Sequence, residues 1–546
     1  YLELRFGRLT RIYSSLIYMV WMLLYMAINL YGPALALNIV TGLPLQGSII
    51  AVGVVCTFYT TLGGMKAVLW TDTLQVCVML AGIIALLVRT SAKVGGFLAA
   101  WDIAEQNHRI EFFELSGDPR ERMSLWATIF GGGVYWCCVY GTNQAQIQRA
   151  LSLPSLTKAK LSIWLNVLGF GIIVSLFCMV GIVMFAFYST CDKIKSRSVS
   201  KPDQLMVLLT SDVLGETQGL SGIILAIVFS GSLSVMSSGL NAMAAVLLED
   251  YIKPFCCIDV KGLKAKVVSM TIVVIGGIVC LGLAFIVSEF GAILQAAYSL
   301  LGILGGPLLG VFVLGMIFPW ANQWGAIIGE SVSLGILIWI GLGTQFAGIE
   351  NAPSSHVHTS GCNFLPGINN VSGANASFEV YKISHMWYSA IAVVLTVTFG
   401  LVVSLATGYT KPSDVDPRLI CPLFDVLFPC LPEFIKRPLL FGVKHKLTPS
   451  TVKRKSPPKV KKNKKGHDNY QMDTANDDIA RLVMGIPLNG VSPFSTMVQD
   501  LPVEGKKEEI EMQKYGELDF QGLDSEMDFG LVSENGLLQL NLSSFF

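Results

Sequence analysis

The chain of 546 residues is 52% hydrophobic and 14% charged, with 53 Gly and a formal net charge of +1. It is too apolar for an ordinary soluble protein, and its balanced charge gives no sign of a nucleic-acid partner. Its twelve Cys form no CxxC pair and no Cys/His grid, so a zinc site is not expected.

Long apolar segments without Lys or Arg set the class. A bilayer core takes about 20 apolar residues at 1.5 Å rise, and a helix satisfies its own backbone in lipid. The pattern predicts ten spans in chain order: Leu16–Val40, Gly47–Leu62, Asp72–Val88, Ser124–Tyr140, Leu161–Phe187, Leu220–Leu248, Val267–Ser288, Ile293–Phe318, Trp324–Phe346 and Met386–Ala406. The chain is read as an all-α polytopic membrane protein with a transmembrane domain over 1–407. Residues 408–546 form a tail, which carries a run of Lys and Arg around Lys453–Lys465, turns acidic, and is expected to be largely disordered and cytoplasmic. The basic run reads equally as a surface for anionic membrane lipids or as a solvated stop-transfer segment.

Lys and Arg of short loops mark the cytoplasmic side. Arg5, Arg8 and Arg11 precede the first span, and Lys66, then Arg149, Lys158 and Lys160, then Lys253, Lys261, Lys264 and Lys266 fall in alternate loops. The N-terminal segment and the tail are therefore placed in the cytoplasm of a plasma-membrane protein. The opposite loop 345–385 carries the sequons at Asn370 and Asn375, glycosylation acceptors only outside. Lys193–Lys201 is an exception in an outside loop. Cys191 and Cys362 both lie in outside loops, either as a disulfide or as two unrelated thiols. Ser544-Phe545-Phe546 end the chain in a form that suits the groove of a PDZ protein, or ends the chain with no reader.

The polar groups inside the spans carry any chemistry. In the sixth span Ser230, Ser234, Ser237, Ser238 and Asn241 recur at three- and four-residue steps, on one helical face. Such a face either offers oxygen ligands to sodium or bonds its own backbone and lets neighbours pack. Asp72, behind Gly63-Gly64, either caps the third span or serves ion exit. Asn143 and Gln144, in a cluster with Gln146, Gln148 and Arg149, either line a pathway or cap a helix. Glu330 lies two turns inside the ninth span, and functions there, is protonated, or reaches back to the cytoplasmic face. Gly302, Gly306 and Gly310, with Pro307, read as a close-packing face with a kink.

Several strings resemble the sodium/solute symporter family, in the branch of sodium-coupled monocarboxylate, multivitamin and iodide transporters. They are Tyr1-Leu2-Glu3-Leu4-Arg5-Phe6, the run from Tyr59-Thr60-Thr61-Leu62-Gly63-Gly64 to Thr71-Asp72, Tyr140-Gly141-Thr142-Asn143-Gln144, Phe229-Ser230-Gly231-Ser232-Leu233-Ser234 and Gly305-Gly306-Pro307. The resemblance implies a leucine-transporter-like inverted-repeat helix bundle with cargo held near the midplane. It also implies that Ser234, Ser237, Ser238 and Asn241 bind sodium, the co-transported ion. Val235 departs from the Ser or Thr common in the family, and Glu330 from an apolar residue. Family members have about thirteen spans, with the Tyr1 string after the third, so the chain is expected to lack its first helices. The function implied is sodium-coupled symport of a small organic anion, a monocarboxylate first, then a biotin- or pantothenate-like vitamin or iodide. A truncated non-transporting or sensor-like membrane protein is the rival reading. No catalytic constellation lines the spans, and an enzyme is not expected.

Overall fold

The computed structural model describes residues 1–110, 113–196, 198–199, 202–214, 220–256, 262–287, 293–346, 361–362 and 378–421. The helices are α1 (Leu2–Phe6), α2 (Arg8–Thr41), α3 (Leu45–Val94), α4 (Phe97–Gln106), α5 (Gly133–Gly141), α6 (Gln144–Leu151), α7 (Leu156–Phe187), α8 (Leu205–Leu214), α9 (Leu220–Val246), α10 (Lys253–Cys256), α11 (Leu263–Val287), α12 (Ile293–Leu300), α13 (Gly306–Ile317), α14 (Gln323–Phe346) and α15 (Tyr388–Ala406). No strand occurs among the described residues, and nine stretches there are long and apolar enough to cross a membrane. The protein is a multi-pass membrane protein.

The central element is α2. It starts after Gly7 and ends at Gly42, whose left-handed conformation (φ 72°) returns its N–H to the Asn38 carbonyl. Trp21, Met22, Met26, Leu30 and Tyr31 are fully buried against α9, α11 and α3. Pro33 lies inside the helix and lacks the N–H that would bond the carbonyl of Asn29 four residues back. Ser232 of α9 donates its hydroxyl to that carbonyl instead. The two helices are thus joined where the sequence breaks the α2 ladder. Gly239 brings them closer still, since a Cβ there would stand 2.6 Å from Met26 Sδ.

The second and third predicted spans are one helical element, α3, rather than two helices parted by a loop at Lys66. Tyr59 donates to the Leu233 carbonyl (3.5 Å), while Gln75 lines a cavity with Ser230, Gly231 and Ser234. A straight helix would hold residues 59 and 75 about 24 Å apart. Both meet one turn of α9, so α3 is bent between them, and its parts Leu45–Gly63 and Trp70–Val94 are each long and apolar enough to cross a membrane.

The fourth predicted span is a π-helical segment, Ala127–Gly132, running into α5, with the chain breaking at Thr142 before α6. The eighth is split by a π turn, Leu301–Gly305, ahead of Pro307. The glycine face is a packing face. A Cβ on Gly302, Gly306 or Gly310 would lie 2.5–2.6 Å from the Cβ of Tyr388, Ala392 or Thr396 of α15. Past Ala406, Thr410 N–H bonds the Trp320 carbonyl (3.1 Å) and Cys421 N–H the Met316 carbonyl (2.9 Å). The tail from 422, the sequons at Asn370 and Asn375 and the terminal Ser544–Phe546 lie outside the described residues.

Two ties hold distant segments together. Arg5 is buried and donates to the carbonyls of Gly315 (3.1 Å), Phe318 (2.9 Å) and Pro319 (3.1 Å), while Tyr1 Oη donates to the Leu419 carbonyl at 3.0 Å. At the other end of the helices a disulfide joins Cys191 to Cys362, with Cα atoms 5.0 Å apart. Nearby, Arg120 pairs with Asp118 (2.6 Å) and Glu379 (3.0 Å), clasping the segment before α5 to the segment before α15.

Candidate functional site

Polar side chains concentrate where α9, the second half of α3 and α6 meet. On α9 the three- and four-residue spacing does place Ser230, Ser234, Ser237, Ser238 and Asn241 along one side. Ser230 donates to the Ala226 carbonyl (2.5 Å), Ser237 to the Ser234 carbonyl (3.2 Å) and Asn241 to the Ser237 carbonyl (2.9 Å). A hydroxyl that spends its proton on its own helix turns its lone pairs outward, toward whatever lies across the face. Across from Ser230 and Ser234 stand Asp72, Gln75, Val76 and Met79 of α3, around a cavity of about 10 Å³, room for one water-sized occupant.

Asp72 is no helix cap, for it lies well inside α3. Its carboxylate is fully buried and pairs with Arg149 of α6, whose side chain is 5% exposed, at 3.1 Å. Arg149 also donates to the hydroxyl of Ser238. Asp72, Arg149 and Ser238 therefore form one triad linking three elements, a buried charge pair with a half-buried hydroxyl. A cation without a counter-charge is costly here, and so is a carboxylate, so each charge holds the other in place. Such a pair opens only if both charges move together or a third charge replaces one of them.

Asn143 is the cap that positions the triad. Its Oδ1 accepts from the Ala145 N–H (2.9 Å), starting α6 after the break, and from the Tyr18 hydroxyl of α2 (3.3 Å). Gln144 opens the same helix and is half-buried. The broken helix places Arg149 six residues after its cap, at the level of Asp72.

Sequence reasoning missed Gln75. Its Oε1 is buried without a hydrogen-bond partner, on the cavity that Asp72 and Ser234 line. The signal was present, since residues 72 and 75 are three apart on a helix and share a face. The partnership of Asp72 with Arg149, 77 positions apart, had no local signal. Val235 is buried and offers no oxygen. Glu330 stands apart from this site, on α14. It is fully buried, which excludes reaching back to the aqueous face, and Ser14 of α2 donates to its Oε2 at 2.7 Å.

The family model "Sodium:solute symporter family" matches residues 1–333. Sodium-coupled monocarboxylate transporter 2 of Danio rerio is 38% identical over 456 residues, covering 80% of this chain and 72% of that protein. Sodium-dependent multivitamin transporter of Oryctolagus cuniculus is 39% identical over 444 residues, covering 79% and 70%. Sodium/iodide cotransporter of Homo sapiens is 39% identical over 445 residues, covering 77% and 69%. Among solved structures, a substrate-bound, outward-open Na+-coupled sialic acid symporter is similar with a TM-score of 0.58 at 21% identity, covering 75% of this chain and 77% of that one. The fold is thus the leucine-transporter-like bundle. With its family match over more than half its length and these relatives, the chain belongs to the sodium:solute symporter family, sodium-coupled transporters rather than enzymes.

Proposed function

We propose that the chain carries a small organic anion, a monocarboxylate such as lactate in first place, inward with sodium across the plasma membrane. Sodium is the co-transported ion, and the sodium gradient with the membrane potential, about 2.3 kcal/mol per charge per 100 mV, supplies the drive. Ser234, Ser237, Ser238 and Asn241 offer the oxygens that a hard cation prefers. Asp72 and Gln75 face Ser234 across the cavity, and Asn143 and Gln144 hold the broken helix that borders the way out. The observation that supports this most is the Asp72–Arg149–Ser238 triad, a buried, closed charge pair beside the hydroxyl face. A sodium ion on that face competes with Arg149 for Asp72, so binding and opening are linked by charge.

Monocarboxylate is favoured over vitamin and iodide because monocarboxylate transporters of fish, frog and mammal recur among the relatives, at 37–38% identity. The N-terminal segment and the tail are placed in the cytoplasm by the basic residues around Arg5–Arg11. The domain reading is a transporter domain over 1–407 followed by a cytoplasmic tail, whose last residues, Ser544–Phe546, suit a PDZ partner.

The test is uptake of labelled lactate, biotin and iodide by proteoliposomes with and without a sodium gradient. Sodium-driven lactate uptake is expected, with Ser234→Ala and Ser238→Ala raising the sodium concentration for half-maximal uptake and Val235→Thr lowering it. Ligand binding with no sodium-dependent uptake of any of the three would favour the sensor reading. Unchanged sodium dependence in all three variants assigns the α9 face to packing.

A further inference from the structure

Glu330 is an ionisable side chain that the sodium site does not use. It sits on α14 where that helix runs beside α2, two turns from the Gln323 end, and it is 0% exposed. Ser14 donates to Oε2 at 2.7 Å, and Oε1 is buried without a hydrogen-bond partner. The hydroxyl of Thr10, one turn before Ser14 on α2, is likewise buried without a partner. So is that of Thr396 on α15, whose backbone carbonyl stands 2.6 Å from where a Gly329 Cβ would be.

The charged groups on the surrounding elements are all directed elsewhere. On α2, Arg11 pairs with Glu3 and Asp250, Tyr13 shares a hydrogen bond with Ser331, and Tyr18 bonds Asn143. On α1, Arg5 is taken by three carbonyls. Near the far end of α14, Tyr388 of α15 bonds Thr344, and Glu379 and Lys382 pair with each other. No titratable side chain lies on α13 or in Leu301–Gly305. An ionised carboxylate enclosed like this has no counter-charge among the described residues, and burial in such a place is costly.

We propose that Glu330 is a proton-binding site, held neutral by a bound proton in this arrangement of α2 and α14 and charged when they part. A proton fits where a sodium ion does not. Sodium needs several oxygens around it, whereas Glu330 has one hydroxyl neighbour in hydrogen-bond contact, and that one already donates to it. Protonation gives Oε1 or Oε2 a hydrogen to donate and removes the buried charge that no neighbouring cation balances. The site also has a mechanical link to the sodium site. Ser14 and Tyr18 are one turn apart on α2, Tyr18 bonds Asn143, and Asn143 caps the helix that carries Arg149 to Asp72. This link rests on the sodium-site reading, but proton binding at Glu330 does not.

The test uses the purified full chain in detergent and in proteoliposomes. Infrared difference spectra between pH 5 and pH 9 report protonated carboxyl groups directly. A titrating carboxyl band is expected in the wild type and absent from Glu330→Gln, and Ser14→Ala is expected to move its midpoint by about one pH unit, the worth of the one hydrogen bond that Ser14 makes to this carboxyl group. In uptake assays, Glu330→Gln is expected to flatten the pH dependence of the half-maximal sodium concentration. Spectra of wild type and Glu330→Gln that are identical across this range overturn the proposal. Should Glu330→Gln not fold, an unmoved midpoint in Ser14→Ala overturns it by itself. A band that titrates as expected while the sodium dependence ignores pH keeps the proton site and discards only its link to Asp72.

Discussion

Replacing Asp72 by Asn leaves the Arg149 guanidinium buried with no countercharge. The pair is almost wholly enclosed, with side chains 0% and 5% exposed and 3.1 Å between Oδ2 and Nη2. Removing one member of a buried pair costs about 3–5 kcal/mol, most of it the stranded charge rather than the lost attraction. Arg149→Gln strands Asp72 in the same way. The double variant Asp72→Asn/Arg149→Gln removes both charges together and leaves two amides that can bond each other, so most of the loss should return. The coupling energy of the cycle is then above about 1.5 kcal/mol, larger than a surface ion pair of roughly 0–1 kcal/mol gives. The measurement is the unfolding free energy of the four purified proteins in one detergent mixture. The order expected is wild type first, double variant next and both single variants well below. Losses that simply add, with a coupling near zero, would refute the argument that these charges are held by each other.

The glycine face predicts a contrast within one bundle: Gly306→Ala and Gly310→Ala drive a methyl to 2.5 Å from a Cβ of α15 and should cost about 1–3 kcal/mol each, whereas Gly335→Ala meets nothing within 4 Å and should be neutral or better by melting temperature. Replacing Cys191 and Cys362 by Ser opens a loop of 171 residues and should cost about 2–4 kcal/mol, read as a lower melting temperature that reducing agent reproduces in the wild type. At the Arg120 clasp, hydrogen bonds from Arg120 hold the Asp118 carboxyl down at about 2, and Lys382 with Arg120 holds Glu379 below its ordinary value. Carboxylates lowered in the folded protein stabilise it above their unfolded values and lose that stabilisation as pH falls through the folded ones. Protection from hydrogen exchange in residues 113–124, corrected for the intrinsic pH dependence of exchange, should therefore be flat from pH 5 to pH 8 and fall only in stronger acid, while Arg120→Ala should lower it across the flat range.

Most spans were legible because about 20 apolar residues without Lys or Arg allow little else. The Gly302, Gly306 and Gly310 face was legible too, since a four-residue step fixes which side of the helix is bare. Around Gly63-Gly64 the local pattern misled. The stretch around Lys66 read as a loop between two spans, yet the helical conformation continues through it and the helix bends there, with both halves approaching α9. Asp72 opened an apolar run and so resembled a cap, and only the arrival of α6 shows what it is for. The Asn29 carbonyl freed by Pro33 was readable as a vacancy, but not that Ser232 would fill it.

The anchorage of Arg5 has a temporal consequence. Its three carbonyl partners lie 310, 313 and 314 positions further along the chain. At about 5–20 residues per second, a ribosome needs roughly 15–60 s to make that much chain. Throughout that interval the guanidinium has none of its final partners and must wait at the wet membrane surface beside α1. Helix α1 thus leaves the ribosome well before the partners that lock it. The clamp closes as α13 delivers Gly315–Pro319, and Leu419 then reaches Tyr1. Early synthesis leaves α1 as a loose flap that the end of the packed chain folds shut.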